Sequence, residues 1–168
     1  MNNIVLIGMP AAGKSTVGVV LAKRLCFFFE DTDLLIQNKY NVSLKELIYA
    51  NGIEGFLNIE EKICSSLSCI HSVIATGGSV IYREHAMRRL QDLGIIVYLK
   101  VSLSELEKRM GDLTTRGVIL GQGQTLTELY DERTPLYEKW SNIIVDEENL
   151  TLEQTVDAVC SVIKAYID

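Results

Sequence analysis

Two prolines, two histidines and four cysteines are all that the 168 residues hold of these types, and aromatic residues make up only 7%. With proline confined to Pro10 and Pro135, proline-rich linkers are excluded and most of the chain is free to form regular elements. Cys26, Cys64, Cys69 and Cys160 show no CxxC pairing and lie in or beside apolar periodic segments. They read as small buried apolar residues, and no disulfide framework is expected. His71 and His85 lack ligand-like spacing and read as ordinary loop or helix-surface residues. Long apolar runs are absent too: stretches such as Ile95 to Leu99 fall far short of the roughly 20 residues that span a bilayer. Positive charge is scarce, with 16 Lys and Arg against 22 Asp and Glu for a net charge of -6, and the cations do not cluster. Neither nucleic acid nor an anionic membrane is therefore an expected partner. No charged leader precedes the first strand-like run, so a cytoplasmic location is the expectation. An evenly acidic chain also gives no reason to require more than a monomer.

What is present suits one compact domain over residues 1–168: 48% hydrophobic and 23% charged residues exclude disorder, collagen and low-complexity readings. Asn3 to Ile7 is a continuous apolar run ending at Gly8, and from Lys14 the pattern turns helical, with Val17, Val20, Leu21 and Leu25 on one face. Phe27 to Glu30 reads as a second strand, followed by a helix from about Leu34. Ser43 with Glu46 signals a capping box, Gly52 stops that helix, and another runs from about Ile53 to Ser68. Ser72 to Ala75 and Ile95 to Leu99 are further strands, with a helix containing Arg88, Arg89 and Leu90 between them. Ser102 to Met110 is helical, Gly111 to Gly123 is a loop long enough to act as a lid, and Thr125 with Glu128 caps a helix ending near Trp140. Ser141 to Val145 is the last strand, and Thr151 with Gln154 caps the last helix. Strands that are apolar on successive residues and alternate with helices predict an α/β fold, a three-layer αβα arrangement around a parallel five-stranded sheet.

Gly8-Met9-Pro10-Ala11-Ala12-Gly13-Lys14-Ser15 matches G-x-x-x-x-G-K-[ST] between a predicted strand and a predicted helix, the context in which that motif cradles nucleotide phosphates. Backbone N–H groups and the helix N-terminus face the phosphates, Lys14 reaches the outer ones, and Ser15 can ligate magnesium. A nucleoside triphosphate and Mg²⁺ are the expected cofactors, with Pro10, Ala11, Ala12, Gly13, Lys14, Ser15 and Thr16 on the nucleotide. Asp31 and Asp33 follow the second strand, at the sheet edge where open α/β folds bind ligands. One carboxylate can hold magnesium and the other can orient an acceptor hydroxyl, although an Asp there can also cap the next helix.

GMPAAGKSTVG, DTD, ATGGS and ERTPLY, in this order and over almost the whole chain, resemble the shikimate kinase family, small P-loop kinases related to nucleoside monophosphate kinases. The resemblance implies transfer of the γ-phosphoryl group of ATP to a hydroxyl of shikimate, a small-molecule partner. It implies that Asp31 assists magnesium with Ser15 and that Asp33 contacts the acceptor hydroxyls as base. It assigns the acceptor loop to Gly77, Gly78 and Ser79, the acceptor carboxylate to Arg133, and the nucleotide to Arg109 and the lid residue Arg116. Substrate-binding helices then span about 33–68 and the lid about 111–123, with Lys14, Asp33 and Arg116 as the catalytic set.

The pattern breaks at three places. The family typically carries F-R-x-x-E where this chain reads Phe56-Leu57-Asn58-Ile59-Glu60, so Leu57 stands in place of an acceptor-binding arginine. Ser79 replaces the third glycine of the acceptor loop, and Gly117 replaces a lid proline. Losing a charge-assisted hydrogen bond of about 1.5–3 kcal/mol weakens an anionic acceptor roughly 10- to 100-fold. Two alternatives follow: a different hydroxylated acceptor, or an ATP-binding protein without efficient transfer. A nearby cation such as Arg83 is a possible substitute for the missing guanidinium.

Overall fold

The computed structural model describes residues 3–110 and 123–167. Five strands, β1 (Ile4–Ile7), β2 (Phe28–Asp31), β3 (Ser72–Ala75), β4 (Ile95–Lys100) and β5 (Ile143–Asp146), form one parallel sheet in the order β2-β3-β1-β4-β5. The expected α/β architecture is present. Every residue of β1 is buried because the two faces are covered by different helices. Val5 and Ile7 pack with Ile74, Ile96 and Tyr98 toward α3 (Leu44–Ser65), α4 (Glu84–Leu93), α5 (Leu103–Met110) and α6 (Leu126–Trp140). Ile4 and Leu6 pack with Val73, Val97 and Leu99 toward α1 (Lys14–Leu25) and α7 (Leu152–Ile167). That two-sided burial is why these strands read as continuous apolar runs rather than alternating ones.

The centre of the sheet positions the site. Leu6 of β1 lies level with Ala75 of β3 and Val97 of β4, and Ala75 lies level with Asp31 of β2. The chain therefore leaves β1, β2 and β3 at one edge, where the strand order reverses around β1 and a crevice opens. Thr76 fixes this edge by donating its Oγ1 hydrogen to the Leu6 carbonyl at 3.0 Å, and the Gly77 amide donates to Thr32 Oγ1 at 3.1 Å.

Local signals map onto the helices as expected, with shifts that have physical causes. The Ser43/Glu46 and Thr125/Glu128 capping boxes are both formed, and Thr151 exchanges backbone and side-chain bonds with Gln154. Gly52 (φ 69°, ψ 178°) is non-helical and divides α3 into two helical segments at the expected position. Helix α2 (Thr32–Tyr40) begins two residues earlier than expected, because Asp31 caps it by accepting from the Asp33 and Leu34 amides. The cysteine reading needs correction: Cys64 is buried, but Cys26 is exposed and Cys69 and Cys160 are half-buried. Cys26 occupies the left-handed C-cap of α1 (φ 57°), a turn that leaves its side chain outside the core. His71 sits in a loop tilted on Phe27, and His85 on the α4 surface meets Ser65. Among the described residues no helix is long and apolar enough to cross a membrane.

Candidate active site

The loop from Gly8 to Gly13 turns back on itself, with Gly8, Ala11 and Gly13 at positive φ and the Ala12 amide donating to the Met9 carbonyl at 3.1 Å. The first amides of α1 are thereby presented at the end of β1, the arrangement that binds phosphate. Lys14 is buried, and its Nζ donates to the Gly8 and Met9 carbonyls at 2.8 and 2.9 Å. Burial is the chief cause of its ammonium falling to about 8; Asp33 and Asp31 oppose the fall, and Arg133 adds to it. An ammonium whose proton is so weakened by burial gains much from an arriving phosphate.

Ser15 Oγ donates to Asp31 Oδ2 at 2.7 Å, while Oδ1 of the same carboxylate caps α2. Asp31 thus caps α2 and also meets the Ser15 hydroxyl. The pair offers a hydroxyl and a carboxylate beside the phosphate loop. These are hard oxygen donors that fit a magnesium ion completing its shell with water and phosphate. No cluster of three or more His, Cys, Asp or Glu side chains able to hold a metal by itself occurs among the described residues.

One cleft of about 260 Å³ joins both halves of the site: Pro10, Ala11, Gly13, Lys14, Ser15 and Thr16 on one side, Asp33, Gly77, Gly78, Ser79 and Arg133 on the other. Asp33 is half-buried in the first turn of α2; burial first, then Asp31, pushes its carboxyl up to about 6, with Lys14 pulling the other way. Arg133 is only 1% exposed, although it is a guanidinium. Its Nε donates to the Tyr82 hydroxyl at 3.1 Å and its Cζ lies over the Tyr82 ring, 5.2 Å from the ring centre. Gly78 is wedged between the two sides: an added Cβ would meet Pro10 Cδ at 2.9 Å and Arg133 Nη1 at 3.2 Å. Tyr137 secures the loop by donating to the Gly78 carbonyl at 2.6 Å.

Other expected site residues fall elsewhere. Leu57 is buried with Ile36, Leu47 and Ile63 and lines an adjoining cavity with Tyr82 and Arg83 instead of the cleft. Helical spacing is the reason: Phe56 and Glu60, four apart, share the cleft-facing side of α3, and Leu57 is turned about 100° away. Arg83 is engaged by Glu54 at 2.7 Å and Asn58 at 3.0 Å. Ala12 is buried below the loop, beside a second cavity where Arg109 bridges Glu105 (3.1 Å) and Glu147 (3.3 Å). Arg116, Gly117 and all of the expected lid except Gly123 lie outside the described residues.

Sequence reasoning assigned no role to Glu60, Phe56, Leu44 or Thr76, which line the cleft, or to Glu147, which lines the second cavity. Glu60 carried one signal, its place at the end of the Phe56–Glu60 pattern. The others are ordinary helix or strand-end residues brought in by packing.

A phosphate loop at the switch point of a parallel sheet, opposite a carboxylate and a buried guanidinium, defines a P-loop small-molecule kinase. Comparison with known proteins narrows the class. The family model for shikimate kinase matches residues 10–164, and the chain belongs to that family. It is 35% identical to the shikimate kinase of Thermodesulfovibrio yellowstonii over 169 residues, covering 99% of this chain and 95% of that one. A shikimate kinase of Clostridium botulinum, strain Loch Maree, is 38% identical over 170 residues, covering 99% and 96%. The Acinetobacter baumannii shikimate kinase solved with shikimate superposes with a TM-score of 0.90 at 27% identity, covering 98% of this chain and 94% of that one.

Proposed function

We propose that this protein transfers the γ-phosphoryl group of ATP to a hydroxyl of shikimate. The observation that carries the reading is the single cleft in which the phosphate loop, Asp33 and Arg133 meet, in a chain of this family. Gly8 to Thr16 hold the triphosphate. Arg133 presents a planar fork, held by Tyr82, to the acceptor carboxylate. Asp33 orients the acceptor hydroxyl and takes its proton as the oxygen attacks γ-phosphorus and the bond to the ADP oxygen breaks. Lys14 leaves the Gly8 and Met9 carbonyls to neutralise the transferring group, and Arg116 closes over it. Ser15 and Asp31 would hold a magnesium ion, which would supply charge neutralisation at the outer phosphates. Arg109 covers the nucleoside. An acidic chain of this kind works as a cytoplasmic monomer, with small molecules as its partners.

The test is ADP release from Mg-ATP in a coupled assay, with shikimate and then with a panel of other hydroxylated acids, polyols and nucleosides. Shikimate-dependent turnover is expected. Turnover on another acceptor alone, or nucleotide binding without turnover, would overturn the reading.

A further inference from the structure

Glu60 is fully buried, and the mechanism above gives it nothing to do. It projects from α3 into the cleft alongside Asp33 of α2, Lys14 of α1 and Arg133 of α6. Its Oε2 accepts the Ser79 hydroxyl at 2.7 Å; its Oε1, equally shielded from solvent, has no hydrogen-bond partner among the described residues. A Cβ added to Gly77 would stand 2.1 Å from that Oε1 and 2.8 Å from Asp33 Oδ1. The two carboxyls therefore converge on one point, and only glycine leaves room for them.

Among the described residues Glu60 forms no ion pair. A buried carboxylate with no paired cation and a second carboxylate facing it is strongly disfavoured, whereas the neutral acid escapes that cost. In the neutral acid one oxygen accepts and the other donates. Because Ser79 donates to Oε2, the proton belongs on Oε1, the oxygen beside Gly77 and Asp33 at the wall of the cleft.

We propose that Ser79 and Glu60 form a neutral pair in the acceptor site, Ser79 acting as a positioning residue that fixes the carboxyl and Glu60 donating its Oε1 proton to a hydroxyl oxygen of the bound acceptor. The proposal rests on the acceptor reading above and deepens it. Asp33 then accepts from one acceptor hydroxyl while Glu60 donates to another, so the site distinguishes a polyhydroxylated ring from one lacking either group. The electrostatic surroundings agree. Burial is the main cause that pushes Glu60 up to about 8, and Asp33 adds to the rise; the Ser79 hydrogen bond, Arg133 and Lys14 hold it back. Cys64, one turn along α3, is a thiol raised well above its ordinary range and brings no charge.

Two measurements test the pair. An infrared difference spectrum of the native protein against Glu60→Gln, without ligands at neutral pH, should show the carbonyl band of a protonated carboxyl, shifted in a Ser79→Ala background. Absence of the band overturns the proposal. In the kinetic arm, Glu60→Gln, which can still accept from Ser79 and donate into the cleft, should keep the KM for shikimate within about threefold of native, against a rise of about tenfold or more in Glu60→Ala. Ser79→Ala should raise KM about three- to tenfold, with kcat falling less than KM rises. The native KM should climb as pH passes about 8, and that of Glu60→Gln should stay level. A Glu60→Gln protein as impaired as Glu60→Ala would show that the ionised carboxylate is needed and would also overturn the pair. If the native protein does not turn over shikimate, the acceptor reading falls, and the infrared arm still decides for or against the Ser79–Glu60 pair.

Discussion

The two halves of the cleft are built on opposite principles. The nucleotide half is one continuous segment, Gly8 to Thr16, whose backbone turns present its amides at the start of α1 and whose single buried charge, Lys14, is satisfied by its own loop carbonyls. The acceptor half draws side chains from separate elements, with Asp33 on α2, Glu60 on α3, Ser79 after β3 and Arg133 on α6. It places ionisable groups in low dielectric, where each contact is strong and each unmet one costly. A triphosphate brings its own charge to a set of amides, and side-chain identity matters little to it. A small hydroxylated acid has to be recognised group by group. Substitutions should therefore do specific damage on the acceptor side and graded damage on the nucleotide side.

The sharpest break expected is Asp33→Asn. It keeps the shape of the α2 turn and removes the proton acceptor, so kcat should fall by about 10²- to 10⁴-fold. ADP affinity, measured by titration calorimetry, should stay within about twofold. A kcat within tenfold of native would remove Asp33 from its role as base.

The buried carboxyl on the acceptor side should also show in stability. Glu60 binds its proton more tightly folded than unfolded, so the folded state holds more protons between about pH 4.5 and 8. Stability must then fall as pH rises through that window. The decline attributable to Glu60 should be of order 3 kcal/mol between pH 5 and 8. Denaturant unfolding of native and Glu60→Gln proteins across this range isolates it: the variant should lose this part of the slope, and parallel curves would show that Glu60 titrates as an ordinary carboxyl.

Arg133→Lys keeps the charge but loses the planar fork and its stacking on Tyr82. The KM for shikimate should rise about 10- to 100-fold, with ATP affinity little affected. An equal loss of ATP affinity would mean that Arg133 serves the whole cleft and that the division between its halves is false.

The same division explains what could be read from residues in order. Gly8 to Ser15 announces itself because its chemistry is local: a strand, a turn with three positive-φ positions and a helix start, all within contiguous sequence. The capping pairs Ser43/Glu46, Thr125/Glu128 and Thr151/Gln154 were legible for the same reason. So was the parallel sheet, through the apolar runs of β1, β3 and β4. Glu60 was not legible as a site group, since a glutamate in an amphipathic helix looks the same whether it faces water or a cleft; only the packing of α3 on the loop after β3 buries it. Leu57 shows the converse. Alignment with a motif put it at the acceptor, but one helical step turned it into the cluster around Ile36 and the adjoining cavity. Cys26 is a third case, an apolar-looking residue whose left-handed turn faces outward.

The smallest effect should come from Arg109, and it tests the nucleotide half most directly. Its side chain is 30% exposed and already committed to Glu105 and Glu147, so the role proposed for it is that of a cover held from behind. If the backbone of Gly8 to Thr16 supplies most of the ATP affinity, Arg109→Ala should raise the KM for ATP only about two- to fivefold and leave kcat and the KM for shikimate unchanged. Glu147, whose carboxyl is raised chiefly by burial and restrained by Arg109, would lose its nearest cation in that variant. Its charged form would then be disfavoured further, and the KM for ATP in the variant should depend more steeply on pH than in the native protein. A hundredfold loss of ATP affinity would mean that this half, like the acceptor half, depends on a particular side chain, and the contrast between backbone-built and side-chain-built recognition would have to be given up.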